Sequence, residues 1–192
     1  MSDISDPVLA AVCTKNISKL TALIQEGKAI DLKQANGSEP IHYAAYYGLV
    51  EAMELLLAAG ANVDAEMNDG GQPIHSAAYG GQNQSINWLL KNGADLHAKL
   101  NTDGRQAIHL AAFAGHPLTV ELLVQLGVDI DSRIDGNYTP LHLAASAGKF
   151  AAVKKLVELG ANKNAQIDRA SADPIKLALE NHHPLVAEYL GR

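Results

Sequence analysis

The sequence predicts an all-α fold of repeated helix–turn–helix units joined by hairpin loops, and three observations predict it. The first is a recurring stretch: Glu39-Pro40-Ile41-His42-Tyr43-Ala44-Ala45, Gln72-Pro73-Ile74-His75-Ser76-Ala77-Ala78, Gln106-Ala107-Ile108-His109-Leu110-Ala111-Ala112 and Thr139-Pro140-Leu141-His142-Leu143-Ala144-Ala145. Its histidines lie 33, 34 and 33 residues apart. The second is a glycine on the same beat, at Gly60, Gly93, Gly127 and Gly160, with Gly27 one period earlier. The third is a row of turn-forming tips between them: Asn36-Gly37, Asp69-Gly70-Gly71, Asp103-Gly104 and Asp135-Gly136-Asn137. Asn-Gly and Asp-Gly favour the tight turns of hairpins. Motifs locked in phase over four copies define a stacked repeat.

Taken in order, Asp6-Pro7 starts the first helix, with Asp as N-cap and Pro at the first helical position. A second helix is expected at about Ile17–Gln25, its apolar positions Ile17, Leu20, Leu23 and Ile24 at helical spacing. Residues 1–5 are expected to be loose. Thr14, Lys15, Ser18, Lys19, Thr21 and Gln25 make one side of this unit polar, as a terminal repeat with nothing stacked outside it requires. The next four units each read as turn, helix, turn, helix, loop. Their helices are expected at 40–47 and 50–59, 73–80 and 84–91, 107–114 and 118–125, and 140–147 and 150–158. In the first of these units Met53, Leu55, Leu56 and Leu57 are expected to pack inward. Gly60 and its equivalents end the second helices in the left-handed conformation. The extra residue in the loops after Gly93 and Gly160 is expected near the tips. The last unit has lost the motif, and Lys176 stands where the histidine belongs. Its final helix opens at Pro184, with Leu185, Val186, Tyr189 and Leu190 expected on the buried side.

The period and the Thr139-Pro140-Leu141-His142 signature resemble the ankyrin repeat. The resemblance covers nearly the whole chain and implies an ankyrin-repeat solenoid with β-hairpin loops. On that reading residues 1–192 are a single domain: an N-terminal cap at 6–35, full repeats at 36–68, 69–102, 103–135 and 136–167, and a C-terminal cap at 168–192. The resemblance also implies that the four signature histidines bond to backbone within and between repeats. Three repeats depart from the pattern. Glu39, Gln72 and Gln106 replace the capping Thr, and Ala107 replaces a Pro, so weaker first-helix caps are expected there.

Composition narrows the function. No apolar run is long enough for a membrane span, and the acidic, polar N-terminus is unlike a signal peptide. The single cysteine, Cys13, excludes an internal disulfide. These features lead to the expectation of a cytoplasmic protein. Residues 1–96 hold 11 acidic and 5 basic side chains, and residues 97–192 hold 10 of each. An acidic half repels phosphate backbones, so nucleic acid is not expected as a partner. Packed helices lie about 8–10 Å apart, too far for the signature histidines to share a metal whose ligands sit at about 2 Å. His97, His116, His182 and His183 read as surface residues. Nucleophile-elbow, Walker and Rossmann patterns are absent. No cofactor, metal or catalytic residue is expected.

The resemblance further implies that the two positions after each Ala-Ala pair face a concave groove that meets the partner. Here they are Tyr46-Tyr47, Tyr79-Gly80, Phe113-Ala114 and Ser146-Ala147. Tyr46, Tyr79 and Phe113 therefore form an aromatic stripe, of the residue types that anchor interfaces. Gly80 and Ala114 are expected to leave room for a partner's side chain. Arg105 and Tyr138 occupy corresponding tip positions before the first helices of their units. The expected function is a non-catalytic module, an adaptor, scaffold or inhibitor, that is monomeric alone and binds another protein. The expected site is Tyr46, Tyr47, Tyr79, Phe113, Arg105 and Tyr138. The alternative is a structural protein that self-associates through the same stripe.

Overall fold

Asp6 fixes where the first helix begins. Its carboxylate accepts from the Val8 and Leu9 backbone N–H groups at 2.9 and 3.2 Å, and Pro7 needs no such partner. The computed structural model describes residues 6–168 and 172–192, so the expectation of a loose segment at 1–5 lies outside it. Among the described residues there are twelve α-helices and no strand: α1 (Pro7–Cys13), α2 (Ile17–Gln25), α3 (Pro40–Tyr46), α4 (Val50–Ala58), α5 (Pro73–Tyr79), α6 (Asn83–Lys91), α7 (Ala107–Ala114), α8 (Pro117–Gln125), α9 (Pro140–Ser146), α10 (Phe150–Glu158), α11 (Pro174–Glu180) and α12 (Pro184–Leu190). The all-α fold of repeated helix pairs is the one the sequence predicts. No helix among the described residues is long and apolar enough to cross a membrane.

The loops between pairs are hairpin turns, each closed across its base by a backbone hydrogen bond and too short to form strands. Gln34 N–H meets Ser38 O, Met67 meets Gly71, and Ile134 meets Tyr138, at 2.8–3.1 Å. In the two longer loops the closing bonds join Leu100 to Arg105 and Ile167 to Ala172, one residue further apart. The extra residue of these repeats thus sits inside the tip. Neighbouring tips are tied together: Asn68 N–H and Nδ2 donate to the carbonyls of Asn36 and Ala35, both at 3.0 Å. Asp135 N–H donates to Asp103 O and Asp168 N–H to Gly136 O in the same way.

The chain divides into two compact units, residues 1–98 and 99–192. In the first, α1, α3 and α5 pack side by side, with α2, α4 and α6 behind them. In the second, α7, α9 and α11 form the front row and α8, α10 and α12 the back row. The Ala-Ala pairs of α3, α5, α7 and α9 are all fully buried, as a close helix approach demands. Met53 and Leu56 are also fully buried, whereas Leu55 and Leu57 are only half-buried, because a short helix turns those two positions toward its flank.

Each unit is latched by its signature histidines. The Nδ1 atoms of His42, His75, His109 and His142 accept from the backbone N–H three residues earlier at 3.1–3.3 Å. Each Nε2 lies 3.0 Å from the carbonyl 23 residues later, at Ala65, Ala98, Ser132 and Ala165. An accepting Nδ1 fixes the neutral tautomer with the proton on Nε2, which donates to the loop. Each ring therefore pins its own helix start to the loop that leads into the next helix pair. His42 also reaches Gly71 O at 3.1 Å, across the repeat boundary.

The capping expectation changes accordingly. The first-helix N-cap N–H is satisfied by histidine in all four repeats, whatever residue precedes the helix. Thr139 places its hydroxyl 2.8 Å from His142 Nδ1, within a capping box like those of the other three repeats. Gln72 bends back over α5 in a capping-box arrangement, but its buried Oε1 makes no hydrogen bond. A Gln72→Thr variant removes that oxygen and supplies a hydroxyl to His75. It is expected to stabilise the protein by about 1 kcal/mol, read as a higher urea midpoint.

The ends differ from the sequence expectation as well. Val186 and Leu190 are buried and Tyr189 half-buried, but Leu185 is 72% exposed. It falls in the first turn of the seven-residue α12. Phe150, Tyr189, Leu185, Glu188 and Arg192 line a shallow depression there.

Candidate functional site

In the first unit, three of the expected site residues come together. Tyr46 and Tyr79 are the last residues of α3 and α5, so the packing of those helices sets their rings side by side. The rings stack at 6.3 Å with 27° between their planes. Tyr46 is 38% exposed and Tyr79 44%. Tyr47 caps α3 and meets Tyr46 edge-on at 5.1 Å. The Lys15 ammonium lies 5.7 Å from the Tyr47 ring centre, a contact that sequence spacing does not reveal. Burial, with the Cys13, Tyr46 and Tyr43 side chains nearby, pushes the Tyr47 hydroxyl above its usual value, so it stays a neutral donor. The result is a half-exposed cluster of three tyrosines, edged by one cation. Aromatic pairs of this geometry add about 0.5–1.5 kcal/mol beyond area burial, so the rings support the fold and still present a face.

The expected room beside Tyr79 is not there. A Cβ on Gly80 would fall on the carbonyl oxygen of Tyr46. Its backbone angles, φ −81° and ψ −6°, are ordinary ones, so close approach is what demands glycine. Gly80 serves the contact between α3 and α5, not a partner. A Gly80→Ala variant must push those helices apart and is expected to lose about 1–3 kcal/mol, seen in equilibrium unfolding.

In the second unit, Phe113 is 38% exposed near the end of α7. The Arg105 guanidinium lies 5.9 Å from its ring centre, and Asp103 holds the Arg105 Nε at 2.8 Å. The expected tip residue and the expected helix residue are thus one cation–π pair, oriented by a carboxylate. Tyr138 is different. It is half-buried against Ile167, Ala172 and Leu177, with its edge toward His142 at 6.1 Å. Much of its ring is engaged in joining consecutive repeats.

The chemistry available elsewhere is limited. Each signature histidine uses both ring nitrogens on backbone groups. Burial holds His42 and His142 below the usual histidine value and lowers His109 to about 4, against the partial opposition of their carbonyl bonds. Cys13 is half-buried, and burial raises its thiol, which keeps the nucleophilic thiolate scarce. Among the described residues no group of three or more His, Cys, Asp or Glu side chains is placed to hold a metal ion.

Comparison with known families adds one match. A family model for ankyrin repeats (3 copies) matches residues 8–100 and 97–167. No curated protein matches the chain.

Proposed function

The chain belongs to the ankyrin-repeat family, whose members are in general protein–protein interaction modules, and from that premise we propose that it is a non-catalytic adaptor, scaffold or inhibitor that docks a folded protein partner. The observation that carries the proposal is a half-exposed aromatic group at the ends of first helices in each unit. The first unit presents Tyr46, Tyr47 and Tyr79, and the second presents Phe113 with Arg105. Tyrosine, aromatic and arginine side chains of this kind supply large contact area at low entropy cost and dominate interface energetics. Tyr138 contributes the exposed edge of a ring that is otherwise engaged in packing. Within each unit the side chains are held in place by packing before any partner arrives, so binding needs little local rearrangement. A partner captured on the tagged full chain from native lysate, and lost on the Tyr46→Ala/Tyr79→Ala variant of the same fold content, supports this reading. A partner retained equally by both proteins overturns it.

A further inference from the structure

The C-terminal cap breaks the pattern at the one face that each preceding repeat covers. Ile175, Lys176 and Leu179 lie 34 residues after Leu141, His142 and Ala145. In the earlier repeats these positions are buried: Ile41, Ile74, Ile108 and Leu141 are at most 1% exposed, and Ala45, Ala78, Ala112 and Ala145 are at 0%. In those repeats the next first helix packs against the preceding one, α5 on α3, α9 on α7 and α11 on α9. On α11 the alanine has become Leu179, 57% exposed, beside a half-buried Ile175. A sealing cap would carry polar groups there. Here the alanine position of every earlier repeat has instead acquired a larger apolar side chain.

The charges around Leu179 say what fits. Ile175 and Leu179 form one i, i+4 ridge of α11, and the exposed Lys176 and Glu180 form the ridge beside it. If a second α11 runs antiparallel across a two-fold axis near Ala178, each Lys176 faces the other copy's Glu180, and the two Leu179 side chains meet beside the axis. This is the self-complementarity an isologous contact requires. A head-to-tail contact is not matched in the same way. The first helix pair, α1 and α2, buries Val8, Leu9, Val12 and Leu20 and, with the loop between them, shows Lys15, Ser18 and Lys19 outward, with no exposed large apolar residue. We infer that the protein forms a two-fold dimer through the α11 face of its C-terminal cap. A dimer goes beyond the monomer expected from sequence and stands independently of the proposed partner surface.

The test is sedimentation velocity on the full chain from about 5 to about 300 µM, the range suited to an interface this small. The expected result is a reversible monomer–dimer equilibrium. Leu179→Glu, at an exposed position, is expected to abolish the dimer and leave the melting temperature unchanged. Lys176→Glu or Glu180→Lys alone places like charges opposite each other and is expected to weaken the dimer at least tenfold. The double exchange restores complementarity and is expected to recover the wild-type constant. A monomer across the whole range overturns the inference. So does a dimer that Leu179→Glu leaves intact, or one abolished by Tyr79→Ala instead, which would assign self-association to the tyrosine cluster.

Discussion

Acidification from pH 7 to pH 4.5 is expected to destabilise this protein by about 2 kcal/mol or more, more than a typical surface substitution. The cause is the neutral histidine latch. A folded-state value below the ordinary 6.5 means that, between the two, the unfolded chain takes up a proton that the folded chain refuses. Stability is therefore fully present above about pH 6.5 and falls as pH drops toward the folded value. For His109, lowered to about 4, the complete loss is about 3 kcal/mol. His42 and His142 are shifted in the same direction by burial and add to it. Protonation also removes the Nδ1 acceptor, so the charged form cannot keep the bond to the N-cap N–H. Glu39 works the other way. Burial raises its carboxyl, despite Lys33 at 3.7 Å, so the folded state takes its proton first and offsets part of the loss at the acid end. Urea unfolding at stepped pH measures the sum, and His109→Gln, which cannot titrate, is expected to flatten the profile. Equal stability at pH 7 and 4.5 would show that the rings are not the linkage.

Replacing Tyr79 with Ala is expected to cost at least about 2 kcal/mol of partner affinity, a thirtyfold loss or more. Because the ring stacks on Tyr46, the same change is expected to lower folding stability by about 1 kcal/mol. The two effects separate cleanly: affinity is referred to the folded fraction, and stability is read from unfolding without partner. A loss confined to stability would make the tyrosine cluster a packing device.

What was legible in the sequence was whatever local periodicity determines. Proline at the first helical position, glycine after the second helix and histidine every 33 or 34 residues place the helices to within a residue or two. That the histidines serve backbone is what the resemblance to the ankyrin repeat implied, not what spacing alone shows. The positive φ of Gly60, Gly93, Gly127 and Gly160 follows from their place after a helix. The remainder depends on what lies opposite a residue in space. Gly80 reads as an open position until the Tyr46 carbonyl is found against it. Tyr138 reads as a tip residue, yet the hydrophobic cluster around Ile167 draws its ring inward. Arg105 and Phe113 are eight positions apart on the loop and helix of one repeat, and only the fold makes them a pair. Helices of seven to nine residues give weak amphipathic signals, which is why Leu55, Leu57 and Leu185 were misplaced.

The central claim is that the ends of the first helices, not the second helices, meet the partner. Hydroxyl-radical footprinting of the chain with and without its captured partner tests it residue by residue. Tyr46, Tyr79 and Phe113 are all exposed in the free chain, as are Leu118 on α8 and Phe150 on α10. Oxidation of the three rings is expected to fall severalfold on binding, while Leu118 and Phe150 react as before. Protection of Leu118 and Phe150 with the three rings unchanged would contradict it.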